Sequence, residues 1–267
     1  MQVARPVAVA VALCLAAPAA RAAGEPPREL TYDWAVDGAV TGAAAAGLLT
    51  LQLLKKDLAP LDCRWCAPGT VDGDLARSLA WSSPKTAQTL SDALTVALPV
   101  GLLAYGVVQG YRLGDPRSGW ADVLLVAESV SLAMLVNSAV KYAVGRARPY
   151  VWMGQPDLYG DRYDRNLSFF SGHATFAFAT AVSAGTLFLM QGLPGAPVVL
   201  GVGLGVAAFT AYLRMGAEQH YLTDVLTGAA VGSLVGWAVP WLFHRPRETA
   251  SQPGAVVPMP GGFAIAW

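Results

Sequence analysis

The chain has 267 residues, of which 54 % are hydrophobic and 13 % are charged, about half of the roughly 25 % charged residues typical of soluble globular proteins. This hydrophobicity excludes a disordered protein, and the frequent glycines lack the three-residue period of collagen. The formal net charge is zero, which argues against a nucleic-acid-binding protein with a basic surface. A membrane protein is favoured over a very apolar soluble helical protein.

Residues 1–22 are predicted to be a secretory signal peptide. Arg5 precedes an apolar run from Val7 to Ala17, and Ala20-Arg21-Ala22 fits the A-x-A cleavage pattern. An uncleaved membrane anchor is the alternative interpretation of the same residues.

Two cysteines remain after this segment, in the sequence Cys63-Arg64-Trp65-Cys66. They cannot complete a tetrahedral zinc site by themselves, and no histidine is near in sequence. A thioredoxin-like redox motif would require a βαβ context that is absent here. We therefore predict a structural disulfide between Cys63 and Cys66 in an exported loop, with a redox-active pair as the weaker alternative.

Six apolar stretches beyond Pro27 have nearly the length that a membrane-spanning helix requires. They are rich in small residues, which favour close helix packing in lipid. The first is the weakest, because it is mostly alanine and glycine. The stretches are Gly38–Leu54, Ala93–Gly110, Val123–Val140, Ala174–Met190, Ala196–Leu213 and Val225–Phe243. They predict an all-α, polytopic bundle of five to six apolar helices, with the active site at one membrane face.

Polar residues cluster at the ends of these stretches, where ionisable groups indicate function. The three clusters are Lys141 with Arg148-Pro149, then Phe170-Ser171-Gly172-His173, then Arg214 with His220 and Asp224. In a chain of alternating crossings, the third stretch ends on the face where the fourth begins. The fifth ends, and the sixth begins, on that same face. The spacing therefore predicts that all three clusters meet.

The cations of these clusters predict an anion site, most naturally one for phosphate. They are Lys141, Arg148 and Arg214. Ser171 and Gly172 immediately precede a predicted helix, whose free N–H groups favour a bound phosphate. Any one of these cations alone would be interpreted as an interface anchor.

Two histidines add possible chemistry. His220 and Asp224 are four residues apart and would share a face of a helical turn, so the carboxylate could fix the imidazole tautomer. The other ring nitrogen of His220 is then free to attack. His173 is suited to proton transfer to a leaving oxygen. Separately, His220 could be an ordinary loop histidine and Asp224 a helix cap.

Together, Lys141-x6-Arg148-Pro149, Ser171-Gly172-His173 and Arg214-x5-His220-x3-Asp224 resemble the three signature motifs of the type 2 phosphatidic acid phosphatase (PAP2) and vanadium haloperoxidase superfamily. The order and the internal spacing are intact. Two positions depart from the family pattern: Phe170 stands where proline is usual, and Leu213 stands where serine often precedes the arginine. These departures affect the local turn geometry rather than any reacting group.

The resemblance implies a mechanism. His220 attacks phosphorus to form a phosphohistidine, Asp224 orients His220, and His173 protonates the leaving oxygen. The phosphate oxygens are held by Lys141, Arg148, Arg214, Ser171 and the N–H of Gly172. The resemblance implies no metal or other cofactor, and we expect no metal-binding cluster in the sequence.

The resemblance favours a phosphatase of the membrane lipid branch. Phosphatidate, phosphatidylglycerophosphate, undecaprenyl diphosphate and lipid A phosphate are all candidate substrates. The alternatives are a vanadate-dependent haloperoxidase and a non-catalytic scaffold.

The expected division of the chain is a signal peptide (1–22), an N-terminal segment with the cysteine loop (23–92), a helical catalytic core (93–243) and a tail (244–267). We expect Arg146 and Arg162 to be solvated and His244 to lie at the interface.

The expected location is the inner membrane of a bacterial-type cell, with the site facing the periplasm. A cleaved signal followed by six crossings would instead place the site in the cytoplasm. A periplasmic site therefore requires that Gly38–Leu54 lie at the interface or inside the protein, or that the N-terminal segment be neither cleaved nor crossing. The arginines Arg112, Arg117, Arg245 and Arg247 share the opposite face, in agreement with the positive-inside rule.

Overall fold

The computed structural model describes residues 27–247, 256–259 and 262–265. The predicted signal peptide lies outside the described residues, as does most of the predicted tail. The helices of the described chain are α1 (Trp34–Leu53), α2 (Lys55–Leu58), α3 (Thr70–Leu79), α4 (Pro84–Arg112), α5 (Pro116–Val144), α6 (Pro149–Trp152), α7 (Gly172–Gln191), α8 (Ala196–Gly216) and α9 (Leu222–Phe243). Two short strands, β1 (Val256–Met259) and β2 (Gly262–Ile265), form an antiparallel hairpin.

Six of these helices are long and apolar enough to cross a membrane: α1, α4, α5, α7, α8 and α9. They correspond one to one with the six predicted apolar stretches, which confirms the predicted polytopic bundle. The largest difference is α4, which begins at Pro84 instead of Ala93. Proline is favourable in the first turn of a helix, where its missing N–H would have no helical partner. The expected boundary between residues 92 and 93 consequently falls inside α4.

Helix α7 occupies the centre of the bundle and is the most buried of the six. It packs against α4, α5, α8 and α9. Its contact with α9 depends on three glycines at four-residue spacing, Gly228, Gly232 and Gly236. A Cβ atom at any of them would lie closer than 3.0 Å to a backbone oxygen of α7 or of Ser171, which immediately precedes it. These glycines let the two backbones approach, and so bring the start of α9 next to the start of α7.

Helix α1 extends from one face of the bundle to the other. Its first residues follow Thr31, whose N–H donates to the carbonyl of Arg245 just after α9. Its other end leads into Lys55, which pairs with Asp161 on the far side. Twenty residues at 1.5 Å each span about 30 Å. Of the two expected placements of this segment, the one inside the protein is wrong, because its apolar alanines, leucines and valines form an exposed helix of spanning length packed on α5.

The N-terminal end of the described chain and the segment after α9 lie on one face. Leu30 forms an isolated antiparallel bridge with Pro246, and the N–H of Arg247 donates to the carbonyl of Glu29. Because six helices of spanning length run back and forth between these segments, the ends of α1, α5 and α8 and the starts of α4, α7 and α9 share the other face. The predicted meeting of the three motifs at one face is confirmed.

Candidate active site

The first motif leaves α5 at a glycine. Gly145 adopts a left-handed conformation, with φ of 61°, and its N–H donates to the carbonyl of Lys141, which ends the helix. The chain then continues extended through Arg146 and Arg148. The N–H of Ala147 donates to the carbonyl of Trp65 at 3.0 Å. Lys141 therefore remains on the helix, whereas both arginines belong to a strand-like segment fixed by the cysteine loop.

A polar pocket of about 510 Å³ opens at the face where the motifs meet. Six of the eight predicted site residues line it: Lys141, Arg148, Gly172, His173, Arg214 and His220. The other two lie behind its wall. Ser171 caps α7, since its Oγ accepts a hydrogen bond from the N–H of Ala174 at 3.3 Å. Asp224 is completely buried near the start of α9.

Arg148 is held rigidly at the pocket wall. Its Nη2 lies 2.6 Å from Asp164 Oδ2, and its Nη1 donates to Gln219 Oε1 at 2.6 Å. The guanidinium is almost fully buried. Asp164 also pairs with Lys55 of α2 at 3.2 Å, which brings a cation that sequence analysis missed to the pocket. Burial alone would raise the pKa of Asp164, but Arg148, Lys141 and Lys55 hold it well below its ordinary value.

The ammonium group of Lys141 forms no hydrogen bond or ion pair with any residue that the structure describes. Its Nζ lies near Gly172, where a side chain would project into the pocket: a Cβ there would be 3.8 Å from Nζ and 3.2 Å from Asn137 Oδ1. The absence of a side chain at Gly172 therefore leaves room for a ligand between the ammonium group and the start of α7.

His173 and Arg214 share a carboxylate that the motifs did not indicate. Asp92 of α4 places Oδ1 2.8 Å from His173 Nε2 and 3.3 Å from Arg214 Nη1. Arg214 also donates to Ser91 Oγ at 3.0 Å. Only one sequence signal pointed to Asp92, namely its charge next to an apolar stretch. A carboxylate at that position is energetically costly in lipid unless it has a partner.

His220 is oriented by a backbone carbonyl. Its Nδ1 lies 2.8 Å from the carbonyl oxygen of Ser168, which can only accept, so Nδ1 carries the proton. The lone pair is then on Nε2, which lies at the pocket wall 3.4 Å from Arg148 Nη1. The structure therefore presents a buried imidazole with its unprotonated nitrogen beside a cation.

Asp224 lies beside His220, as its spacing predicted, but the two side chains form no direct hydrogen bond. Asp224 Oδ2 is 3.7 Å from His220 Nδ1, and it accepts instead from Ser168 Oγ at 2.5 Å and from the N–H of Tyr221 at 2.9 Å. The prediction assumed a continuous helical turn, but α9 begins only at Leu222, so the four-residue spacing does not place both side chains on one helix face. Ser168, a loop residue without any sequence signal, connects them: its carbonyl accepts from His220 Nδ1 and its hydroxyl donates to Asp224 Oδ2.

Arg146 is buried behind the pocket, so the expectation of a solvated side chain is wrong. Its guanidinium is 1 % exposed and bridges Asp224 and Asp72, with Nη2 2.7 Å from Asp72 Oδ2. The rings of Trp65 and Tyr221 lie 3.8 Å and 4.2 Å from its central carbon. Two carboxylates and two aromatic faces together compensate the lost hydration of this cation.

Arg162, by contrast, is exposed in the loop between α6 and α7, as expected. Arg146 and Arg162, which had the same expected environment, therefore differ: the first is buried among carboxylates and the second faces solvent.

The cysteine loop packs on Arg146. Cys63 and Cys66 form a disulfide in the structure, and Trp65 lies between them in sequence. The N–H of Arg64 donates to the carbonyl of Gly145 at 2.9 Å, and Trp65 forms a parallel bridge with Arg146. The loop therefore connects the N-terminal segment to the first motif.

The electrostatics of the pocket favour a neutral His220. Burial, followed by the charges of Arg148, Lys141 and Arg214, holds the pKa of its imidazole well below its ordinary value of about 6.5. Because the folded-state pKa is lowered, His220 keeps its lone pair as the pH falls from about 7 to about 6. We expect the acid limb of kcat/KM to have an apparent pKa below about 6.5.

This pH dependence is measured as a full profile of kcat/KM, after correction for the separately determined titration of the substrate phosphate. An acid limb centred at or above about 6.5 after that correction would contradict a neutral, buried His220.

An apolar groove of about 500 Å³ adjoins the pocket between α1, α4, α5 and α7. The two cavities share four lining residues: Gln52, Met134, Ser138 and Phe176. Beyond them the groove is lined almost entirely by aliphatic side chains such as Leu49, Leu103 and Val130. A ligand with a charged end and an apolar body would fit across the junction.

Comparisons with known proteins give consistent similarities. Residues 122–248, which contain all three motifs, match the family model of the PAP2 superfamily. A lipid A 1-phosphatase from Porphyromonas gingivalis is 30 % identical over 197 residues, covering 70 % of this chain and 40 % of that protein. The chain thus spans about two fifths of the length of this curated relative.

A crystal structure from Bacillus subtilis, that of a transmembrane PAP2-type phosphatidylglycerolphosphate phosphatase, has a similar fold. The TM-score is 0.50 at 17 % sequence identity, over 74 % of this chain and 94 % of that chain.

Proposed function

Residues 122–248 of this chain belong to the PAP2 superfamily, and from that premise we propose that the protein is a membrane lipid phosphatase. Its substrate is a phosphomonoester or diphosphate of a lipid, and the reaction passes through a phosphohistidine without a metal ion. The observation that carries the lipid part is the junction of the cationic pocket with the apolar groove.

The shapes of the two cavities match the two ends of such a substrate. The phosphate would lie among Lys141, Arg148 and Arg214, whose charges stabilise the phosphoryl oxygens during transfer. The acyl or prenyl chain would lie along the groove, whose aliphatic lining is as apolar as the bilayer that the chain leaves. A soluble phosphate ester would use the pocket alone.

In the proposed first step, His220 Nε2 attacks phosphorus. A P–N bond forms while the bond from phosphorus to the leaving oxygen breaks, and His173 donates a proton to that oxygen. This step requires a protonated His173, which the carboxylate of Asp92 favours against the opposing effects of burial and of the neighbouring charge of Arg214. Ser168 and Asp224 hold the attacking imidazole, since the Nδ1–H continues to donate to the carbonyl of Ser168.

In the second step, a water molecule attacks the phosphohistidine. His173, now neutral, accepts a proton from this water, the P–N bond breaks, and its electron pair returns to Nε2 of His220. Phosphate leaves and the resting protonation states are restored. Preorganised cations and fixed orientation supply the catalysis in this scheme.

We propose that the pocket faces the periplasm of a bacterial-type cell. The disulfide between Cys63 and Cys66 lies on the pocket face, and disulfides persist in oxidising compartments. With α1 crossing, residues 27–33 then lie on the cytoplasmic side. A signal cleaved after Ala22 would place the pocket in the cytoplasm if all six helices cross. The proposal therefore favours the alternative in which the N-terminal segment is neither cleaved nor crossing.

The lipid assignment is tested by filling the groove. Ala127 is exposed on α5 and lines the groove away from the pocket. In an Ala127→Trp variant we expect kcat/KM for a lipid phosphate to fall about tenfold or more, because the apolar body no longer fits. Turnover of p-nitrophenyl phosphate should change less than about twofold, since the pocket is untouched.

Ala208→Trp is the matched control, because Ala208 is also exposed but lies on α8, outside the groove. The panel contains phosphatidylglycerophosphate and a lipid A phosphate, after the names of the two similar proteins, with phosphatidate and undecaprenyl diphosphate. Equal loss on lipid and soluble substrates in Ala127→Trp would contradict the groove as the lipid site. Activity on the soluble ester alone would remove the lipid part of the proposal.

A further inference from the structure

Asp37, Glu128 and His244 come together on the face opposite the pocket, although they are far apart in sequence. Asp37 lies in the first turn of α1, Glu128 in α5, and His244 directly after α9. All three are buried, and each offers one ligand atom within 4.8 Å of the others. His244 is therefore not the interface residue that the sequence suggested, and the expectation of no metal-binding cluster did not anticipate this group.

The surroundings of His244 raise the question of what lies between its Nε2 atom and the carboxylate of Glu128. Its Nδ1 is 3.1 Å from the carbonyl oxygen of Thr31, which requires a proton on Nδ1. Its Nε2 is 3.1 Å from Glu128 Oε2. With a neutral imidazole and an ionised carboxylate, these two atoms present lone pairs to each other, so a proton or a cation must lie between them.

The charges favour a divalent cation. Two carboxylates are buried here, and within the described residues neither forms an ion pair with a lysine or an arginine. A protonated His244 would compensate the charge of Glu128 but would leave that of Asp37 uncompensated. A divalent ion bound by a neutral His244 brings the group to neutrality, which removes the cost of that charge.

The geometry suits a transition-metal ion. Two ligand atoms on a tetrahedral zinc, at bond lengths of about 2.0–2.1 Å, are separated by about 3.3 Å, close to the 3.1 Å between Nε2 and Oε2. The Nδ1–H of a metal-binding histidine typically donates to a carbonyl or carboxylate, as His244 does to Thr31. Asp37 is oriented in the same way, because its Oδ2 accepts from the N–H of Asp33 at 2.8 Å.

We propose that Asp37, Glu128 and His244 bind one divalent transition-metal ion of the zinc class, with water completing the coordination. The ion joins α1, which packs mainly on α5, to α5 and the end of α9. It holds the peripheral first helix in the bundle, and it is separate from the phosphoryl chemistry on the other face.

The test uses the full-length, detergent-purified protein, stripped with EDTA and dialysed against ZnCl₂. We expect about one zinc per chain by mass spectrometry and a rise in Tm of at least about 3 °C on zinc addition. Substitution with Co²⁺ should give d–d absorption bands of a low-symmetry nitrogen and oxygen site. A control, His173→Gln/His220→Gln, removes both pocket imidazoles and should keep the zinc and the Tm shift.

Glu128→Gln is the key variant, because its amide can donate to the lone pair of His244 Nε2 and so preserve the fold without a cation. It should lose the bound zinc, the Tm shift and the Co²⁺ bands. Asp37→Asn, which still accepts from the N–H of Asp33, should weaken zinc binding at least about tenfold. Wild-type protein that retains no zinc would overturn the proposal in favour of a shared proton, and zinc lost only in the control would assign the metal to the pocket.

Discussion

Replacement of His220 by alanine should reduce phosphate release by at least about 10⁴-fold, because the variant lacks the nitrogen that forms the covalent intermediate. The loss should be in kcat, with the substrate still bound by the pocket cations. The measurement is phosphate release from a lipid phosphate by purified protein, in the presence of EDTA. EDTA resistance of the wild type is expected, since Lys141, Arg148 and Arg214 supply the charge.

Ser168→Ala is a milder variant that tests how His220 is held in place. It keeps the carbonyl that accepts from His220 Nδ1 but loses the hydroxyl that donates to Asp224, so we expect a loss of about 10–100-fold. Trapping of ³²P on the wild-type protein after acid-free quenching, and its absence in His220→Ala, would identify the intermediate. A His220→Ala protein with ordinary turnover would refute the proposed mechanism and support the scaffold hypothesis.

Replacement of Arg146 by methionine should be the most destabilising substitution in the motif region. Methionine has a similar length but leaves Asp72 and Asp224 without their cationic partner. We expect the free energy of unfolding to fall by about 3–5 kcal/mol, the usual cost of removing one partner from a buried ion pair. Activity should fall as well, because Asp224 holds Ser168 and Ser168 holds His220.

Arg162→Met is the matched control in the neighbouring loop. Arg162 is exposed, and its loss should change stability by less than about 0.5 kcal/mol. Arg146→Lys should be intermediate, since one ammonium group cannot match the bidentate geometry of the guanidinium. Unfolding in detergent, followed by tryptophan fluorescence, gives the comparison. Equal stabilities of Arg146→Met and Arg162→Met would show that the buried network contributes nothing.

The bundle was predictable because hydrophobic length is a strong signal. Each of the six spans was located from composition alone, and alternation of the crossings placed the three motifs on one face. The helix ends were less accurate, as at Pro84, because the polar first turns of α4 carry no apolar signal. The expected placement of α1 inside the protein was wrong for a related reason: alanine and glycine make it weakly hydrophobic although it is an exposed helix of spanning length.

The reacting groups were predictable, whereas the groups that hold them were not. Motif spacing identified the side chains that line the pocket. It could not show that Ser168 holds His220, because a backbone carbonyl has no sequence signature. Arg146 looked like any other arginine near a membrane surface until its contacts with Trp65 and Asp72 were seen. Asp92 and Glu128 were detectable only as isolated charges within or beside apolar segments.

The pairing of residues 29–31 with residues 245–247 gives the bundle a circular order. The sixth crossing ends where the first begins, so the six spanning helices form a closed circuit of connections with no privileged starting helix. A permuted chain that joins these two segments and opens at the Gly192–Gly195 turn would retain every helix–helix contact. We therefore expect such a permuted protein to fold with the same helix packing and to keep its activity.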